Sequence, residues 1–125
     1  MAFDPNGSSP IIKIKFGGID LGVCVIKFKK SSTDSWTTII NFNGLIANVE
    51  FDLEPQNLIG AGKSTKDFSG TSIGWFYVVA DLDLNGTVDY SFDLDILQNN
   101  NVLKKFSQRG REALSSKLVS DKHQF

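Results

Sequence analysis

Apolar and polar residues alternate along most of the first hundred positions, and glycine and asparagine punctuate the alternation. A period of two marks half-buried strands. It predicts six of them, at about 11–16, 19–29, 36–42, 45–53, 75–83 and 87–97, with no helical period before residue 98. Around Val23–Phe28 and Trp75–Ala80 the apolar residues fall on both faces, which points to central strands. The chain from Glu54 to Gly74 is long for a loop without structure.

Parity suggests which strands join as hairpins, because residues opposite each other in a tight hairpin share a face. A turn at Gly17-Gly18 sets Phe16 against Ile19, Ile14 against Leu21 and Ile12 against Val23, with Lys15 facing Asp20. A turn at Asn43-Gly44 sets Phe42 against Leu45, Ile40 against Ala47, Thr38 against Val49 and Trp36 against Phe51. A three-residue loop at Leu84, Asn85 and Gly86 sets Leu82 against Val88, Ala80 against Tyr90, Val78 against Phe92 and Phe76 against Leu94. Gly86 then takes the left-handed position of a G1 bulge.

From Gln98 the pattern changes. Asn99, Asn100 or Asn101 is a candidate helix cap. Leu103, Phe106, Gly110, Leu114 and Leu118 recur at helical spacing, and Lys104, Lys105, Arg109, Arg111 and Lys117 make the segment basic. The expected organisation is a flexible N-terminus over 1–10, an all-β antiparallel sandwich or small barrel built from hairpins over 11–97, and a basic amphipathic helix or tail over 98–125 that frays after Ser120.

At 125 residues the chain suits one domain, and 41% hydrophobic with 22% charged residues argues against global disorder. The net charge of −1 conceals a segregation: +2 over residues 1–45, −7 over 46–97 and +4 over 98–125. Segments of opposite sign attract, so the basic tail is expected to dock on the acidic face of its own or a neighbouring subunit. A single cysteine, Cys24, excludes an internal disulfide and a Cys-rich zinc site, and its apolar surroundings mark it as buried. No stretch is long and apolar enough for a spanning helix, and MAFDPNGSS lacks the apolar region of a secretory signal. The cytoplasm is therefore the default expectation. Six basic residues with few aromatics give no nucleic-acid reader motif.

Two stretches resemble ligand loops. IGAGKST at 59–65 is similar to the end of the Walker A loop of ABC-type ATPases, which would imply Lys63 on phosphates and Ser64 on magnesium. The pattern's first glycine falls on Asn57, and KDFSGTSIG follows where a helix should begin, so a P-loop NTPase is disfavoured. DLDLNGTVD at 81–89 resembles the first nine positions of an EF-hand or dockerin calcium loop. That resemblance implies Asp81, Asp83, Asn85 and Asp89 as oxygen ligands and Gly86 at the sharp turn. The twelfth position is Phe92 where a bidentate Glu belongs.

In the hairpin register Asp81, Asp83, Asp89, Asp93 and Asp95 share the outer face, with Asp81 across from Asp89. Like charges so placed call for a compensating cation, such as Ca²⁺, or a basic protein surface, unless the face is simply solvated. Catalysis has little to build on: the one histidine, His123, lies in the expected frayed tail, and carboxylates on an open strand face need no perturbed pKa. The expected function is a non-enzymatic binding or assembly module that forms a homo-oligomer. Ile39, Ile46, Leu103, Phe106, Leu114 and Leu118 are its candidate interface residues. The alternative is a calcium-dependent or carbohydrate-binding, lectin-like module; Trp36, Trp75, Tyr77 and Tyr90 are the available Trp and Tyr platforms, and parity favours a core role for at least three of the four.

Overall fold

The computed structural model describes residues 2–18, 21–45, 48–54, 64–81 and 86–125, with only the backbone of Leu21 and Leu45. Eight strands carry the described chain: β1 (Ile11–Gly18), β2 (Leu21–Lys29), β3 (Thr37–Leu45), β4 (Val49–Leu53), β5 (Ser72–Ala80), β6 (Val88–Gln98), β7 (Asn101–Glu112) and β8 (Ser116–Gln124). A 3-10 turn at Thr65–Phe68 precedes β5. The strands form two antiparallel four-stranded sheets, the first ordered β4-β1-β6-β7 and the second β3-β2-β5-β8.

Alternation places the strands and their faces. Ile12, Ile14 and Phe16 of β1 are buried while Ile11, Lys13 and Lys15 are exposed. In β6, Val88, Tyr90, Phe92, Leu94 and Ile96 are buried and the residues between them are partly exposed. The two-sided apolar strands are β2 and β5, and they are the central strands of the second sheet.

Pairing departs from the parity argument. None of the three predicted hairpins forms. β1 pairs with β4 and β6, β2 with β3 and β5, and β5 with β2 and β8. Asn43-Gly44 does not reverse the chain: both residues lie within β3, and β4 belongs to the other sheet. At each predicted turn the two strands expected to pair belong to different sheets. Apolar residues of the two sheets meet away from any ladder; Phe16 of β1 and Phe42 of β3 touch edge-to-face at 5.2 Å between centroids. One core cluster draws on both sheets, with Ile12, Ile14, Phe16, Phe92 and Leu94 from the first and Cys24, Ile26, Trp75, Tyr77 and Val79 from the second. Tyr77 lies 5.1 Å from both Phe16 and Phe92, and Trp75 lies 5.6 Å from Phe106.

The predicted C-terminal helix is also absent. Residues 101–124 form β7 and β8. Asn99 and Asn100, expected as caps, have φ of 52° and 62° and form the two-residue turn that joins β6 to β7. Asparagine tolerates this left-handed geometry, as a type I′ hairpin turn requires. β7 shows the helix-like spacing because few of its own residues are apolar; pairing with β6 overrides that weak local pattern. The chain end is held too: Gly70 N–H donates to Phe125 O at 3.0 Å and Phe125 N–H to Thr71 O at 2.9 Å. Phe3, Phe68 and Phe125 pack together beside Phe28.

Residues 2–10 form no strand but are anchored. The buried Gln98 amide accepts from Asp4 N–H at 2.8 Å and donates to Asp4 O at 2.6 Å and Ser8 O at 2.9 Å. Asn99 and Ser8 exchange two further backbone-to-side-chain bonds. A buried amide with its hydrogen bonds satisfied fixes the segment without an unpaired polar atom.

Candidate binding faces

The outer face of the first sheet carries most of the charge that the sequence singles out. Its registers align Asp52, Lys13, Asp95 and Lys105 in one row, and Glu50, Lys15, Asp93 and Ser107 in the next, across β4, β1, β6 and β7. The first row alternates in sign across all four strands. Lys13 reaches Asp52 and Lys105 reaches Asp95, each at 3.4 Å. Arg109 Nη2 reaches both oxygens of Asp93, at 2.9 and 3.1 Å, and Ser107 Oγ donates to the same carboxylate. The acidic strand thus has basic neighbours on both sides, and one of them is the basic tail, folded as β7 of the same chain. Cross-strand opposite charges favour this register.

The calcium-loop residues separate. Asp81 directly follows β5 and Asp89 lies in β6, strands of different sheets, so the two are not cross-strand partners. Asp89 faces Arg111 instead. Asp81 Oδ2 accepts from Gly86 N–H at 2.6 Å, and Gly86 takes the expected left-handed φ, at 79°. Asp83 and Asn85 lie outside the described residues, as does residue 59–63 of the Walker-like stretch. Ser64 caps the 3-10 turn, and its N–H donates to Asp67 Oδ2 at 2.7 Å. No group of three or more potential metal-ligating side chains occurs among the described residues.

The candidate interface residues also divide. Leu103 and Ile39 are the extra residues of two β-bulges: Ile96 and Leu97 pair with Lys104 and Val102, and Ile26 and Lys27 pair with Ile40 and Thr38. A bulge re-aims its side chain, and both residues pack against the core, as does Phe106. Leu114 is exposed in the β7–β8 turn, and Leu118 on β8 is 60% exposed. Ile46 lies outside the described residues.

Leu118 belongs to a second face, which the sequence reading passed over. The outer side of the second sheet holds a groove of about 660 Å³ lined by Trp36, Phe76, Val78, Leu118, Lys27 and Lys122, with Gly74 in its floor. The register explains its shape. Lys27, Gly74 and Lys122 form one row, so two lysines flank a position with no side chain. The Trp36 ring lies over that gap, and a Cβ on Gly74 would stand 3.2 Å from it. Lys29 and Lys27 sit 5.4 and 5.0 Å from the rings of Trp36 and Phe76. Among the described residues no acidic side chain pairs with Lys27, Lys29 or Lys122. The two-sided apolar character of β2 and β5 was the available signal: one face fills the core, and the other is this surface.

His123 is a strand residue, not part of a frayed end. It faces Ile73 in the ladder and meets the Phe125 ring at 5.1 Å. Burial lowers its pKa, and Lys104 adds to the effect while Asp121 opposes it. Asp121 is lowered chiefly by the N–H of Lys122, with burial opposing and Lys104 reinforcing at 3.2 Å. Lys104–Asp121 and Lys117–Glu112 join edge strands of the two sheets. Burial raises the Cys24 thiol to about 12, which removes it as a nucleophile.

No protein-family model matches the chain, and no curated protein or solved structure matches it.

Proposed function

We propose that the protein is a non-enzymatic, self-associating binding module, a β-sandwich whose second sheet is its working surface. The sandwich reading is supported by the aromatic contacts that run from Phe16 and Phe92 to Tyr77. One observation carries the function: the outer face of the central strands β2 and β5 is apolar, yet it stays open as the groove of Trp36, Phe76, Val78 and Leu118. A solvent-facing apolar groove rimmed by polar groups marks an interaction surface. The charged face of the first sheet contrasts with it, because its carboxylates on β6 are engaged by Lys105 and Arg109 within the chain.

Sedimentation velocity over a wide concentration range tests self-association. The expected result is a reversible shift to a larger species. It should survive added salt, because the basic tail meets its acidic partner inside the subunit. A single monomer peak at every concentration rejects self-association. Carbohydrate binding is the second reading, favoured by the indole of Trp36 at the groove mouth, 36% exposed. A glycan array read with the wild type and Trp36→Ala tests it; a hit lost on substitution supports it, and no hit rejects it.

A further inference from the structure

We infer that β3 is the assembly edge and that its occupant is β3 of a second copy, paired antiparallel about a twofold axis. This rests on the self-association reading and names its contact. An edge strand presents unpaired backbone groups, and proteins protect such edges with charge, shortness or bulges. The four edge strands here are β4, β7, β3 and β8. β4 has five residues and carries Glu50 and Asp52. β7 carries Lys104, Lys105, Arg109, Arg111 and Glu112, and β8 carries Lys117, Asp121 and Lys122. β3, Thr37–Leu45, has nine residues with no charge and no proline. Among the described residues it pairs with β2 alone.

The sequence of β3 suits a copy of itself. Its bulge at Ile39 leaves 40–45 as the regular part of the edge. A twofold axis at Asn41 sets Ile40 beside the partner's Phe42 on the core side and Asn41 beside the partner's Asn41 outside. An axis at Phe42 sets the two Phe42 rings together and Asn41 beside the partner's Asn43. In either register apolar meets apolar, amide meets amide, and no like charges are opposed. Ile40 and Phe42 are half-buried in the monomer, so such pairing covers apolar surface that remains. The competing contact, groove against groove, would place Lys27 and Lys122 on both sides of one interface, while Asp121, the acidic residue of the lining, is already engaged by Lys104. Like charges there oppose association. Edge pairing instead continues the second sheet across two copies and leaves both grooves open on one face.

The test is sedimentation velocity on the full chain, on Asn41→Lys combined with Asn43→Lys, and on Leu118→Asp. Both asparagines are exposed, so the lysines add edge charge without entering the core. The double substitution is expected to weaken association by more than about tenfold while leaving the melting temperature in place. Leu118→Asp is expected to associate as the wild type does. Should the double variant associate as tightly as wild type, or Leu118→Asp alone abolish association, the edge inference falls and self-association stands. A wild type that never associates removes both. If the lysines impair folding, amide exchange on the wild type decides: protection over 40–45 should grow with protein concentration, and concentration-independent exchange overturns the inference.

Discussion

The contact between Tyr77 and Phe92 distinguishes facing sheets from a β5–β6 hairpin. Both side chains are fully buried, and their rings lie 5.1 Å apart at 27°. A hairpin register would place Phe92 beside Val78 and send Tyr77 to the opposite face, so the two would not touch. We therefore consider Phe92→Leu, Tyr77→Leu and the double variant. Truncating a buried Phe to Ala costs about 3–5 kcal/mol, and leucine retains enough volume to reduce this to roughly 1–2 kcal/mol. A chain of this length has a stability of about 6–19 kcal/mol, so all three variants should fold. The ring pair should add a coupling of about 0.5–1.5 kcal/mol beyond area burial. Urea unfolding with a common m value measures it through the double-mutant cycle. Phe92 paired with Phe68, which belongs to a separate cluster, is the additive control. A Tyr77–Phe92 coupling below about 0.3 kcal/mol, the level of additivity between independent sites, would refute packing across the two sheets.

Three further outcomes are expected. Asn100→Gly should raise the melting temperature by a few degrees, because glycine adopts the φ of 62° freely, whereas Asn100→Ala should lower it; equal melting of the two would sink the turn assignment. Stability should fall with acid in two stages: His123, with its folded pKa below the ordinary 6.5, favours the native state above that value and loses this contribution as its proton binds, and Asp121, lowered from 3.8, contributes above that value and loses it as pH falls through its folded pKa. Asp121→Asn should flatten the lower stage and His123→Phe the upper, as read from urea midpoints against pH. Gly74→Ala should displace the Trp36 ring, since the new Cβ would lie 3.2 Å from it; an unchanged tryptophan emission spectrum compared with a Trp36→Phe reference would contradict the groove geometry.

Much of the local structure was legible. The buried series of β1 and β6 follow directly from alternation, and β2 and β5 are central because both of their faces are apolar. The exposed Lys13, Lys15, Asp93 and Asp95 follow from the same parity. Ile39, named from strand parity, and Leu103, named from helical spacing, are each the extra residue of a bulge and pack against the core, a placement that neither pattern carries. The groove was legible only in part. Phe76 and Val78 stand out as the second apolar face of β5, but Lys122 comes from a segment whose spacing imitates a helix, and Trp36 lies over Gly74 from outside the sheet.

The amino-acid order alone determined where strands run and which side of each is greasy, because side-chain direction alternates within a single strand and needs no partner. It did not determine neighbours. Two consecutive strands place apolar residues against apolar residues whether they lie side by side in one ladder or face each other across the core. Tyr77 and Phe92, on the consecutive strands β5 and β6, touch although those strands belong to different sheets. The tertiary structure decided between them, because only there do the charged rows close: Lys13 and Lys15 meet Asp95 and Asp93, and the basic residues of β7 meet β6 from the other side.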